Sequence, residues 1–130
     1  MVAGPRTDKP VPGVREVLVQ LKAAALNHRD LFVRQYQYAA ISLDHSMLSD
    51  GYGAVTETRQ GDSDTFIPGE NVLLTPILYY AGTARGYDGV RKDEVSPTPK
   101  HLSATEGAAL PLVGLTPWRA LVTKAAVQAG

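Results

Sequence analysis

Cysteine is absent from this 130-residue chain, and neither sign of charge is in excess, because thirteen Lys and Arg residues balance thirteen Asp and Glu residues. Without thiols the chain has no disulfides, no thiolate zinc site and no cysteine nucleophile. Without net charge it has no strong field to recruit nucleic acid or anionic lipid. We therefore expect neither nucleic acid nor a membrane among its partners.

Long hydrophobic runs are also missing. No apolar stretch approaches the roughly 20 residues of a membrane span, and the opening MVAGPRTDKPVPG lacks the apolar region of a signal peptide. These absences predict a cytoplasmic protein. The length suits one domain, and 44% hydrophobic with 20% charged residues is typical of a globular chain.

The common motifs of catalysis are not found. The sequence has no G-x-S-x-G elbow, no phosphate-binding G-x-x-x-x-G-K-[ST] loop and no G-x-G-x-x-G fingerprint. His28, His45 and His101 lack the H-x-x-x-H spacing that places two imidazoles on one helix face. Asp30, Asp44 and Asp50 could chemically bind a metal, but nothing in their spacing groups them, so we expect no metal site.

The first two-thirds of the chain is predicted to be rich in strands. Alternating apolar residues predict a half-buried strand over 15–24, and Asn27 with Asp30 predicts a capped short helix that ends near Gln35. The remaining predictions are a loop over 36–47, strands over 50–59 and 72–75 joined through a Pro68-Gly69 turn, a weak or edge strand within 77–90, and a loop over 96–101.

The last third is predicted to be helical. Ser103 and Glu106 form a capping box, and Pro111 is expected to end that helix. Thr116 followed by Pro117 repeats a helix start. Apolar residues at helical spacing would then give this last helix an apolar stripe made of Trp118, Leu121, Val122 and Ala125, with Gly130 at its end.

Four segments, taken in order, resemble one family: VREVLVQLKAAALNHRDLFVRQYQY, LSDGYGAV, F-x-P-G-E-N-V-L-L and HLSATEGAALPLVGLTPWRALVTKAAVQAG. They are similar to the medium-chain alcohol dehydrogenase and quinone reductase superfamily, in its zinc-type alcohol dehydrogenase-like branch. The resemblance implies a mainly β chain with short helices, folded as a GroES-like, partly opened β-barrel. In the family a Rossmann domain that binds NAD(P) follows, and this chain ends about where the first strand of that domain should start.

The resemblance also implies a division of the chain. Residues 1–13 would be an irregular lead-in, 14–115 the GroES-like catalytic domain, and 116–130 a linker helix towards the absent cofactor domain. An internal loop of close relatives would be missing after Pro76. Without the Rossmann half, we expect no tight binding of NAD(P)H to this chain alone.

The candidate site residues come from the same resemblance. In metal-dependent members, the position of Asn27 is a cysteine ligand and that of Ser49 is a histidine ligand, so the chain resembles the zinc-independent arm. Asn27 and Asp30 match polar residues beside the nicotinamide and are the implied catalytic residues. His28 matches a position near the cofactor phosphates, and Thr116 matches one against the nicotinamide. Asn27, Asp30 and Thr116 also have a simpler interpretation as helix caps.

Several positions depart from the family pattern. Tyr36 and Leu48 stand where glycine is usual, so each would carry strain if the backbone there is left-handed. Gly86, Asp88 and Gly89 replace apolar or acidic residues and would weaken a strand of the barrel.

Two functions remain open on the sequence. The first is the catalytic half of an NAD(P)-dependent reductase or dehydrogenase that acts on a small carbonyl, quinone or activated alkene. The second is a non-catalytic GroES-like module that acts through protein contacts. In either case we expect self-association through the exposed apolar stripe of the last helix.

Overall fold

A computed structural model of the protein describes residues 9–37, 47–59, 65–75 and 82–128. In this part of the chain, five antiparallel strands form one sheet in the order β4-β1-β2-β3-β5. The strands are β1 (Glu16–Ala25), β2 (Asp50–Thr58), β3 (Asn71–Leu74), β4 (Tyr87–Arg91) and β5 (Val95–Pro97). The helices are α1 (His28–Arg34), α2 (Ala104–Ala109) and α3 (Pro111–Trp118), with a 3₁₀ turn at Lys92–Glu94 and a π-helical segment at Arg119–Lys124.

The hydrophobic core lies on one face of this sheet. Its buried members come from all five strands and from the turn before β3: Val17, Val19, Val55, Phe66, Val72, Leu74, Val90 and Val95. A smaller cluster of Tyr52, Leu73 and Ala108 packs under α2 on the other face. Burial on both faces explains why the alternation predicted for β1 is incomplete, since Leu18 is as buried as its two valine neighbours.

The register of β1 and β2 positions the later site. Ala25, the last residue of β1, pairs with Asp50, the first residue of β2. The chain that leaves β1 towards α1 therefore starts beside the beginning of β2. Gly53 makes this close pairing possible, because a Cβ there would lie only 2.4 Å from the main-chain oxygen of Gln20.

Most predicted elements are confirmed. The capping boxes at Asn27 and Ser103 are present, and Gly69 has a φ of +95°, as a type II Pro-Gly turn requires. The edge strand predicted within 77–90 is confirmed over 87–91, where β4 lies at one edge of the described sheet and pairs with β1. Several predictions fall on residues 38–46, 76–81 and 129–130, which lie outside the described part of the chain. They concern most of the predicted 36–47 loop with Asp44 and His45, the missing loop after Pro76, and Gly130.

Two predictions are wrong. Residues 95–97 form β5 at the other edge of the sheet, so the loop predicted over 96–101 begins only after Pro97. Pro97 is tolerated there because an edge residue need not donate to a neighbour.

Thr116 does not cap a helix, since α3 already begins at Pro111 and runs through Pro117. The Thr116 hydroxyl instead donates to the carbonyl of Leu112, 2.9 Å away. Pro117 has no N–H to continue the regular hydrogen-bond ladder, and the π-helical segment begins two residues later, at Arg119.

The two positions where the family usually has glycine both have left-handed backbone. The φ angle is 55° at Tyr36 and 71° at Leu48. Each of these two bulky residues therefore has the left-handed backbone at which strain was predicted. The Tyr36 side chain contributes little packing energy to offset the backbone strain, because it is 81% exposed.

We expect Tyr36→Gly to stabilise the chain by about 0.5–1 kcal/mol, because relief of left-handed strain exceeds the added entropy of the unfolded state. Urea unfolding monitored by circular dichroism would measure the change. The matched control is Gln35→Gly, at a residue with an ordinary φ of −89°, which should destabilise the chain. Equal destabilisation by both variants would contradict the strain argument.

Asp88 is a buried carboxyl on the edge strand β4, only 5% exposed. Its pKa is raised to about 7, chiefly by burial and in smaller part by nearby Glu16 and Glu94, against the opposing effect of its ion pair with Arg85. A carboxyl with a raised pKa in the folded state binds its proton more tightly there than in the unfolded chain. Its contribution to stability is therefore complete below pH ~4 and is lost as the pH rises to ~7.

We expect Asp88→Asn to reduce the loss of stability between pH 5 and 8, and to raise the free energy of unfolding at pH 8 by ~1–2 kcal/mol. Denaturant unfolding across this pH range would measure both effects. Asp93→Asn is the control, because the Arg91 guanidinium lowers the pKa of Asp93 and its titration falls below that window. Parallel pH profiles for the wild type and Asp88→Asn would overturn the assignment.

Candidate active site between the sheet and helix α3

A cavity of about 190 Å³ lies between the sheet and the C-terminal helices. Its lining comes from the start of β2, the residue after β3, α3 and the π-helical segment: Asp50, Thr75, Pro111, Leu112, Leu115, Thr116 and Arg119. Leucine and proline side chains give it apolar walls. The two threonine hydroxyls, one carboxylate and one guanidinium give it a few polar groups, the mixture typical of small-ligand sites.

Asn27 reaches this cavity through Asp50. It precedes α1 in an extended conformation, which is the position of a helix cap. Its side-chain Nδ2 donates to Oδ2 of Asp50 at 2.8 Å. The β1–β2 register makes this contact possible, because the two residues lie at the adjacent ends of paired strands.

Asp50 is the most heavily hydrogen-bonded side chain at the site, and it is 1% exposed. Besides Asn27, its Oδ1 accepts the backbone N–H of Leu112 at 3.0 Å. Its main-chain oxygen accepts the Thr83 hydroxyl at 2.7 Å. Burial raises the pKa of Asp50, opposed by the bonds from Asn27 and Leu112; Asp30 adds to the rise and Arg29 works against it.

Asp30 and His28, predicted beside Asn27, lie outside the lining of the cavity. Asp30 is 4% exposed, and its Oδ2 accepts the backbone N–H of Asn27 at 2.8 Å, which closes the helix start. His28 is the first residue of α1 and is exposed to solvent. The structure thus places Thr116 on the lining of the cavity and Asn27 outside it, one hydrogen bond away through Asp50. Asp30 supports the backbone of Asn27.

The two positions implied as metal ligands in metal-dependent relatives are each hydrogen-bonded to another side chain. Asn27 donates to Asp50, and the hydroxyl of Ser49 accepts from the Arg29 guanidinium. Within the described ranges, no three His, Cys, Asp or Glu side chains are grouped to hold a metal ion. An amide and a hydroxyl are poor ligands compared with thiolate and imidazole. That the chain works without zinc stays a prediction.

Sequence reasoning missed the role of Asp50 and the presence of Arg119. Asp50 was considered only as a possible metal ligand. Its position was readable in principle, since pairing the predicted strands 15–24 and 50–59 end to end would have set residue 50 beside residue 24, next to its actual partner Ala25. Its contact with Leu112, 62 residues further along the chain, had no signal in the sequence.

The outer surface of α3 and the π-helical segment is apolar and exposed. Trp118 is 62% exposed, Leu121 55% and Val122 44%, and Val113 and Leu115 lie exposed on the preceding turns. We call Trp118, Leu121 and Val122 the C-terminal apolar face. Across the described residues, no helix has the length and hydrophobicity needed to cross a bilayer.

An antiparallel sheet with short helices is consistent with a GroES-like domain. Residues 13–115 match the family described as the alcohol dehydrogenase GroES-like domain, and the chain belongs to this family. The predicted fold and the resemblance to medium-chain oxidoreductases are thereby confirmed.

Similar proteins agree with this assignment. The zinc-type alcohol dehydrogenase-like protein YogA of Leptosphaeria maculans is 42% identical over 89% of this chain and 40% of its own length. The trans-enoyl reductase tndF of Aspergillus flavipes is 31% identical over 88% of this chain and 35% of its own. A crystal structure of an NAD-dependent alcohol dehydrogenase superposes with a TM-score of 0.83 at 34% identity, covering 99% of this chain and 44% of that protein. The chain thus spans well under half the length of these relatives.

Proposed function

We propose that this chain supplies one wall of the active site of an NAD(P)-dependent oxidoreductase that works without zinc. The substrate would be a small carbonyl, quinone or activated alkene. The observation that supports the proposal is the junction at Asp50, a cavity-lining residue that is hydrogen-bonded both to Asn27 and to the helix bearing Thr116. Membership of an oxidoreductase family supports the reaction class.

The cavity fits a nicotinamide ring but not a whole dinucleotide. Its volume of about 190 Å³ is below the ~300 Å³ at which drug-sized ligand pockets begin. Leu112 and Leu115 offer apolar contact for one face of a ring, and Thr116 keeps acceptor lone pairs on its hydroxyl oxygen. Bound there, the nicotinamide group would supply the hydride.

The chain's own residues would orient the substrate and stabilise charge. The amide of Asn27 has one N–H committed to Asp50, which leaves a second N–H able to donate to an oxygen on which negative charge develops. Asp30 holds the backbone of Asn27, so its catalytic role would be exerted through that residue.

We expect reduced nicotinamide mononucleotide to bind this chain with a dissociation constant on the order of 1 mM, because one wall of the site supplies few contacts. Nitrogen–proton NMR spectra should show ligand-induced shifts at Leu112, Leu115 and Thr116. NADPH should bind no more than about tenfold tighter, since no adenosine site is proposed on this chain. Thr116→Val should weaken mononucleotide binding ~5-fold through loss of one hydrogen bond.

The matched control is Thr123→Val, on the π-helical segment outside the cavity lining, which should leave binding unchanged. Shifts confined to other surfaces would contradict the proposed site. Saturable micromolar binding of NADPH, or turnover of a carbonyl compound by this chain alone, would contradict the single-wall proposal.

A second proposal concerns assembly, and the C-terminal apolar face favours it. Contiguous exposed apolar surface is characteristic of contact sites between proteins. We propose that two copies of the chain associate through Trp118, Leu121 and Val122, whether or not the chain also takes part in catalysis. This would be the main activity of a non-catalytic GroES-like module.

We expect the wild-type chain to sediment increasingly above its monomer mass of 13.9 kDa as its concentration rises. Trp118→Ser combined with Leu121→Ser should return it to the monomer, because the change removes the apolar area that drives association. Leu31→Ser on α1, also an exposed leucine, is the control and should not alter the sedimentation. A wild-type monomer at every concentration would refute this proposal.

A further inference from the structure

We propose that Asp50 is a positioning residue whose carboxylate holds Asn27 and the first turn of α3 in one fixed arrangement around the cavity. The functional meaning of this arrangement rests on the function proposed above. The contacts that carry it, however, are separate from any ligand and can be tested without one.

The carboxylate is shared between two elements that are far apart in sequence. Oδ2 accepts from the side chain of Asn27 at 2.8 Å, and Oδ1 accepts from the main chain of Leu112 at 3.0 Å. The side chain is buried, so solvent does not replace either partner at low cost. The Thr83 hydroxyl holds the main chain of Asp50 at the same point.

Helix α3 depends on this carboxylate for its start. Its N-cap residue is Leu110, and no side chain next to it in the sequence accepts a capping hydrogen bond. The first N–H groups of a helix lack partners within the helix, and negative charge is favoured at that end. Asp50 therefore supplies from β2 the cap that the local sequence does not provide.

Leu112 extends the connection to Thr116. Its N–H donates to Asp50, and its carbonyl, one turn back from Thr116, accepts the Thr116 hydroxyl at 2.9 Å. A continuous series of hydrogen bonds thus runs from the Asn27 amide through Asp50 and Leu112 to Thr116. Because an ionised carboxylate only accepts, it also requires the Nδ2 side of the Asn27 amide to face it.

The test is Asp50→Asn, a substitution of the same shape that can no longer accept from both partners. Amide hydrogen exchange at Leu112 should become about 10-fold faster, and the side-chain amide resonances of Asn27 should shift. The shift induced at Thr116 by reduced nicotinamide mononucleotide should decrease by at least half. Asp93→Asn, at an exposed carboxylate on the 3₁₀ turn, should change none of these.

Asn27→Ala and the double variant Asn27→Ala/Asp50→Asn guard against a trivial loss of folding. Asn27→Ala removes one of the two partners, so Leu112 exchange should accelerate by less than in Asp50→Asn. The double variant should be no faster than Asp50→Asn alone, because both changes act on one network. Additive effects of the two changes, or wild-type exchange at Leu112 in Asp50→Asn, would overturn the proposal.

The two proposals fail in different ways. If the wild-type chain shows no mononucleotide shift at Thr116, the proposed function fails, and hydrogen exchange still decides the role of Asp50. If Asp50→Asn binds the mononucleotide like the wild type with unchanged Leu112 exchange, the positioning role fails and the proposed function stands.

Discussion

The antiparallel pairing of β1 with β2 is the constraint on which the rest of the structure depends. It sets Ala25 opposite Asp50, so the chain that turns into α1 begins beside the chain that enters β2. A slip of one residue would turn every side chain of β1 to the other face of the sheet. The buried valines of the core would then face outward, and Asn27 would lose Asp50. Stability of the sheet and geometry of the site therefore have one common origin.

The secondary structure of the first two-thirds of the chain could be predicted from the sequence better than that of the C-terminal helices. Strands β1 to β4, the Pro-Gly turn and the caps at Asn27 and Ser103 were predicted from local chemistry, whereas the edge strand β5 was not. Thr116 shows where this reasoning stops. A threonine before a proline looks the same as a helix cap or as an interior residue bonded to the carbonyl one turn back. What decides between them is that α3 already started at Pro111, with its cap supplied from β2.

Two residues of the candidate site were predicted from the sequence, but the hydrogen bonds that connect them were not. Asn27 and Thr116 were predicted from a family resemblance. The structure places Thr116 on the cavity wall, and Asn27 is one hydrogen bond away from that wall, through Asp50. Asp50 was not recognised, because its importance comes from a contact that spans 62 residues. The distance between two residues along the chain does not indicate whether they are in contact in the folded protein. Asp30 supports the backbone of Asn27, as its simpler interpretation as a capping partner predicted.

The π-helical segment after Pro117 changes the shape of the surface that the chain presents. A π-helix bonds each N–H to the carbonyl five residues back, so side chains three and four residues apart no longer stack in a line. Trp118 ends α3, and Leu121 and Val122 follow it in the π-helical segment, so the three exposed side chains do not continue one regular α-helical stripe. Side chains that are not in one line suit a flat partner such as the face of a sheet or of another domain. They are poorly suited to the narrow seam along which two long helices wind around each other.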